Sequence, residues 1–201
     1  RVGQEIYQYG LPESEVPFIC GFLGYGHVSQ GAQEIFDLLP TEEIQPEKLA
    51  AFYKDRSWSA HRVYKVIFKE EHLVEPLKPS AEFDLQDYYQ YPHKYRSRFD
   101  AYLPYLTMII NCVYWSPEYP RFVTRENLRS LWEKDKNPRL QAIVDISCDI
   151  EGSIEITNRV TTPDNPVYTY QPLTGEYRDG FQPEGITVLA IDNLPAEIPL
   201  E

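Results

Sequence analysis

Residues 16–36, "VPFICGFLGYGHVSQGAQEIF", restrict the folds open to this chain more than any other stretch. Val16 to Leu23 form a short apolar run closed by glycines, the pattern of a parallel strand buried on both faces. Apolar residues then return at helical spacing, at Ala32, Ile35, Phe36 and Leu39, until Pro40 stops the helix. Strand, glycine turn and helix follow one another without a spacer. Gly24 and Gly26 supply a G-x-G core, with Ser29 where a third glycine often sits. Gly24 lets the chain turn tightly. Gly26 leaves no side chain in the way of a pyrophosphate at the helix N-terminus, whose free N–H groups and dipole favour an anion. Gly31 and Ala32 keep the helix thin where it crosses the sheet. A bare G-x-G is a weak motif, and a purely structural turn is its alternative reading. Its seat between a strand and a helix gives it weight.

Further strands are expected at "TEEI", "RVYKVIF", "LTMIINCVY", "LQAIVDIS" and "GITVLAID", and helices at "QPEKLAAFYK", "DLQDYYQY" and "TRENLRSLWEK". Thr124, with Glu126 nearby, is a capped start for the last of these. Alternation of this kind predicts an α/β fold: a doubly wound, Rossmann-like parallel sheet of about six strands with helices on both faces. The 201 residues suffice for one such domain, and "TTPDNPVYTYQP" reads as a loop or crossing segment. In this fold the residue meeting the adenosine ribose lies roughly 20 residues past the turn. Glu43 or Glu47 there would hold a ribose diol and favour NAD, or be solvated surface charges. Lys48 is the nearby cation for a 2′-phosphate. Spacing leaves NAD and NADP both open.

Charge narrows the partners. Against 31 acidic side chains stand 19 basic ones, a net charge of −12, which disfavours binding to a nucleic-acid backbone. The run "DYYQYPHKYRSRFDAY", with Lys94, Arg96 and Arg98 among its aromatics, is therefore read as packing rather than base stacking. No apolar run reaches membrane-span length, and "RVGQEIYQYG" is not a signal peptide. Cys20, Cys112 and Cys148 read as reduced, buried thiols. His61, His72 and His93 are expected on the surface without metal-type spacing, and "PTEEIQPE" matches no ion-wrapping loop, so no metal is assigned. Asp145 ends a predicted strand at the sheet edge where ligands bind, with Asp149 four residues on. Either carboxylate could fix a substrate ammonium or hold a catalytic cation, or simply cap a turn. Cys148 has no histidine near it in sequence and reads as a packed thiol.

Five stretches carry a family resemblance, in one order and at compatible spacing: "GYGHVSQGAQEIFDLLP", "DYYQYPHKYRSRF", "YLPYLTMIINCVYW", "VDISCDIEGSIEITNRVTTPDNPVYTY" and "ITVLAIDNLPAEIPLE". Together they resemble lysine–ketoglutarate reductase, the saccharopine-forming half of aminoadipic semialdehyde synthase, over nearly the whole chain. "INCVYW" and "DISCDIEGSIE" are its most specific strings, and the alanine dehydrogenase and transhydrogenase group shows a looser version. The resemblance implies an NAD or NADP cofactor held by Gly24, Gly26, His27 and Val28 at the pyrophosphate. Asn111 would lie beside the cofactor, with Ile146, Asn193 and Leu194 approaching the nicotinamide. It also implies an active-site role for Asp149. The implied reaction condenses lysine with 2-oxoglutarate and reduces the imine to saccharopine. Residues 1–201 then correspond to the dinucleotide-binding domain of a larger two-domain reductase, whose absent first domain would supply the Lys and His that handle substrate. An alanine dehydrogenase-like reaction, or a non-catalytic nucleotide-binding module, is the alternative. Homo-oligomerisation is compatible with the sequence. Bacterial and plant members would be cytoplasmic and animal members mitochondrial.

Overall fold

The computed structural model describes residues 1–135 and 137–192. In chain order it contains α1 (Val2–Tyr9), β1 (Ile19–Leu23), α2 (His27–Phe36), β2 (Thr41–Glu43), α3 (Leu49–Asp55), β3 (Val63–Phe68), α4 (Glu70–Leu73), β4 (Val74–Pro76), α5 (Leu85–Gln90), β5 (Tyr95–Ser97), β6 (Met108–Asn111), α6 (Arg125–Lys134), β7 (Ala142–Asp145), β8 (Val167–Tyr170), β9 (Tyr177–Asp179) and β10 (Ile186–Leu189). Eight strands form one sheet in the order β2-β3-β1-β6-β7-β10-β8-β9. From β2 to β10 every pairing is parallel, while β8 and β9 add antiparallel pairs beyond β10. The fold is the expected doubly wound, Rossmann-like α/β architecture, and its six parallel strands are the six read from sequence. Among the described residues no helix is long and apolar enough to cross a membrane.

β1 is buried along its whole length and alternates between two cores. Cys20 and Phe22 join Ile6 of α1 and Phe36 of α2 on one face, while Ile19 and Leu23 join Leu49 of α3 and Leu128 of α6 on the other. A strand so placed needs an apolar neighbour on each side, which decides the strand order. "VYKVIF" of β3 supplies six nearly continuous buried positions, whereas "TEE" of β2 is short, polar and suited to an edge. The second strand in sequence therefore lies outside the third. This departs from the usual Rossmann order, in which the second strand flanks the first.

Three local expectations are corrected. Within "TTPDNPVYTYQP", residues Val167–Tyr170 form β8, with Tyr168 and Tyr170 buried and the Tyr168 hydroxyl donating to the Ile156 carbonyl at 3.0 Å. Alternating tyrosines give one face enough apolar area to pack as a strand. Ile35, expected on the buried side of α2, is exposed because Ala32 and Phe36 already fill the contact with the sheet. The cap of α6 is reciprocal between Thr124 and Asn127, not Glu126: the Asn127 N–H donates to Thr124 Oγ1 (3.1 Å) and the Thr124 N–H to Asn127 Oδ1 (3.3 Å). The tyrosine-rich run does pack. Tyr88 and Tyr95 are buried against Phe83 and Tyr119, and β4 and β5 form a small antiparallel pair.

Candidate functional site

The parallel strands share one C-terminal edge. Register pairs Leu23 with Phe68 on one side and with Asn111 on the other, and Asn111 with Asp145. Gly24, Lys69, Cys112 and Ile146 are thus the first residues beyond four adjacent strands. The ladder runs one step past the strands: the Gly24 N–H donates to the Phe68 carbonyl (2.9 Å), the Cys112 N–H to Leu23 (3.0 Å) and the Ile146 N–H to Asn111 (3.0 Å).

Gly24 turns with φ +90°, and a Cβ there would sit 3.4 Å from Val113 Cγ2. Both the backbone conformation and the space favour glycine. Gly26 is different. Its backbone is extended (φ −71°), and a Cβ would meet nothing within 4 Å. It is the N-cap of α2 and provides no side chain to the first-turn N–H groups at His27, Val28 and Ser29, which lack acidic company. His27 and Val28 are exposed beside this open space. Ser29 is fully buried, its hydroxyl accepting from Gln33 Nε2 (3.0 Å), so it packs against the sheet as a third glycine would. Gly31 does not: it is exposed, with nothing within 4 Å of a Cβ, and Ala32 makes the contact.

Asn111 and Asp145 form a buried knot. Asn111 Nδ2 donates to Asp145 Oδ1 (2.8 Å) and Ser153 Oγ (2.9 Å), and Asp145 also accepts from Ser147 Oγ (2.8 Å) and Thr157 Oγ1 (2.5 Å). Three donors and near-total burial make Asp145 a positioning group for the 146–157 loop rather than a carboxylate open to a substrate ammonium. Sequence spacing gave no sign of Ser153 and Thr157, which lie 8 and 12 residues past Asp145. Asp149 sits half-buried on that loop. Burial pushes its carboxyl above the usual carboxylate range, opposed by a hydrogen bond from Ser147 and reinforced by the Asp145 charge. Ile146 is exposed beside it. Burial also raises the thiols of Cys112 and Cys148 to about 11 each, which keeps both protonated and unreactive at neutral pH. Asn193 and Leu194 lie outside the described residues.

Glu43 and Glu47 do not follow a strand that adjoins β1, because β3 separates β2 from β1. Glu43 Oε2 lies 4.0 Å from Lys65 Nζ. Glu47 Oε1 is 2.8 Å from Nε2 of His72, and its carboxyl is held low by a hydrogen bond to its own backbone and by that imidazole. His72 is itself buried, contrary to its expected surface place. Its Nδ1 accepts the Lys69 N–H (3.0 Å), so the ring bridges two segments instead of facing water. His61 and His93 are exposed, as expected. What stands beside the glycine turn is Lys69, whose Nζ lies 5.8 Å from the centroid of the Tyr25 ring. Next to it, Glu70 accepts a hydrogen bond from the Tyr89 hydroxyl at 2.7 Å. Counting residues from the turn missed this corner; the apolar length of "RVYKVIF" against "TEEI" was the signal that could have found it. A separate cleft between α1 and the chain after α2 is lined by Gly3, Tyr7, Leu38 and Pro40 and lacks convergent charged groups.

No protein-family model matches the chain. The alpha-aminoadipic semialdehyde synthase of Arabidopsis thaliana is 38% identical over the whole chain, which covers 20% of that protein. This chain is homologous to one segment of the alpha-aminoadipic semialdehyde synthases. The mitochondrial semialdehyde synthase of Bos taurus is 37% identical over 99% of the chain and is covered to 23%. The chain thus spans about a fifth of the length of the curated semialdehyde synthases it matches. A saccharopine dehydrogenase (NAD(+), L-lysine-forming) of Schizosaccharomyces pombe is 30% identical over 47% of the chain and 23% of its own length. Among solved structures, an L-alanine dehydrogenase aligns with a TM-score of 0.45 and 14% identity, over 94% of this chain and 40% of that one.

Proposed function

We propose that this chain is the dinucleotide-binding part of a lysine–ketoglutarate reductase, which joins lysine and 2-oxoglutarate and reduces their imine to saccharopine with NADH or NADPH. The observation that carries the reading is the 38% identity to a semialdehyde synthase across the whole chain, seated on a strand–glycine–helix turn. The residues present fit such a cofactor: the space above Gly26 is open, and the first-turn N–H groups of α2 have no side-chain cap. Those groups would hold the pyrophosphate, helped by the positive end of the helix dipole. When bound, the dinucleotide supplies a hydride to the imine carbon.

The chain's own residues position and exclude. The Asn111–Asp145 knot fixes the ends of β6 and β7, so that exposed Ile146 offers an apolar surface for the nicotinamide. Asp149 stands on the same loop as a polar contact for substrate, or for a cation supplied by a separate substrate domain. Lysine amine and keto group lose one water on forming the imine, and hydride plus one proton complete the secondary amine.

The test is NADPH or NADH oxidation by the full-length protein. Oxidation should require lysine and 2-oxoglutarate together and fall at least a hundredfold in Gly26→Val. Oxidation driven instead by pyruvate and ammonia, or indifferent to lysine, would overturn the assignment.

A further inference from the structure

We propose that Trp115 is a positioning residue for Asp149: its indole, packed on Gly152, fixes the turn that carries the carboxyl toward substrate. This rests on the role given to Asp149 above. The turn closes through the Gly152 N–H, which donates to the Asp149 carbonyl at 3.0 Å. Cys148 and Glu151 within this stretch hold φ +54° and +51°, left-handed conformations that side chains other than glycine seldom adopt. Strain of that kind persists only where neighbouring structure enforces it.

The segment after β6 supplies the enforcement. Phe122 and Val123 N–H groups donate to the Ser153 carbonyl (2.8 and 3.1 Å), and the Glu155 N–H donates to Val123 (2.9 Å), so the chain beyond the turn is laid along residues 122–123. Trp115 reaches the turn itself. A Cβ on buried Gly152 would stand 2.5 Å from Asp149 Cβ and 3.3 Å from Trp115 Cε3, so Asp149 and the indole flank the same point. Glycine alone lets both approach. The ring is locked at its far side, where Nε1 donates to the carbonyls of Tyr119 (3.2 Å) and Pro120 (3.1 Å). Arg121 lies over the ring, 5.5 Å from its centroid, and its Nε donates to the Glu151 carbonyl at 3.0 Å. One rigid aromatic thus ties the 115–121 segment to the turn at two points, and the loss of the ring frees Asp149 to move. The ring also belongs to the apolar surroundings whose exclusion of water raises the Asp149 carboxyl. Asp145 is the charge that acts on that carboxyl, and the neighbouring Cys148 thiol is protonated at neutral pH. From the segment opposite, Arg121 and Arg125 are both turned to Glu151.

The test is steady-state kinetics of the full-length protein carrying Trp115→Ala, Trp115→Phe, Gly152→Ala or Asp149→Asn, and Trp115→Ala or Gly152→Ala combined with Asp149→Asn. Trp115→Ala should lower kcat/KM for lysine at least tenfold, with the KM of the dinucleotide moving less than about threefold. Trp115→Phe keeps a ring on Gly152 and should recover most of the loss. In the Asp149→Asn background the loss should shrink to less than about threefold, because the group being positioned is already gone. The limb of the pH profile that Asp149→Asn abolishes should move to lower pH in Trp115→Ala, since water then reaches the carboxyl. Gly152→Ala displaces Asp149 from the other side and should show the same non-additivity, so it carries the test if Trp115→Ala does not fold. Losses that simply add to those of Asp149→Asn, or a pH limb that stays in place, would overturn the role of Trp115 and leave the proposed reaction standing. A folded wild type that does not couple lysine to dinucleotide oxidation would overturn both.

Discussion

At Gly24 the backbone occupies φ +90°, while at Gly26, two residues on, it is extended, so the same substitution should have opposite effects at the two positions. Gly24→Ser forces a side chain into a conformation that costs about 1–2 kcal/mol. That should lower the midpoint of thermal unfolding by roughly 2–8 °C in a chain of this size. Gly26→Ser places a better N-cap on α2, in open space, and should leave stability unchanged or raise it by a few tenths of a kcal/mol. Yet its Oγ would occupy the N–H groups that the pyrophosphate requires, so dinucleotide affinity should fall. Thermal unfolding of both variants beside a dinucleotide titration checks the pair. Loss of stability at Gly26→Ser with affinity intact would show that the turn is structural only.

Among the elements, the ends of β6 and β7 depend on one buried amide. Asn111→Leu keeps the volume but strips Asp145 and Ser153 of a donor, and should cost about 1–3 kcal/mol. Core truncations such as Leu128→Ala should cost more, about 2–5 kcal/mol, because they leave a cavity in a close-packed interior. Urea unfolding of both variants ranks them, and an Asn111→Leu protein as stable as wild type would show that the knot is not positioning the loop. The six parallel strands were legible because each is an apolar run bounded by turn residues, and α2 because its spacing is helical. β8 was hidden by the prolines and threonines around it. Strand order was illegible to counting, since the neighbours of β1 follow from which strand can be buried on both faces. That same ambiguity put Glu43 and Glu47 beside the turn in the sequence reading, whereas β3 lies between them and β1. The burial of His72 was equally unreadable, because its partner Glu47 lies 25 residues away.

Over the whole molecule, the candidate site is a property of topology. Residues 24–29, 69–70, 111–112 and 145–149 are far apart in sequence, and only the parallel register brings them to one edge. The net charge of −12 provides no long-range positive field to draw in an anion, so under the proposed function the local backbone N–H groups at the start of α2 would have to hold the dinucleotide. Toward the far end of the sheet, Ala142, Val144, Thr187 and Leu189 of β7 and β10 are only half-buried, whereas the corresponding face over β1 is covered by α1 and α2. The proposed function seats the pyrophosphate of a dinucleotide on the first turn of α2. Backbone amide NMR during titration with NADPH measures this directly. Saturable shifts should be largest at Gly24 to Ser29 and weaker at Asn111 to Val113. Shifts concentrated elsewhere in a folded protein, or none at any concentration, would contradict it.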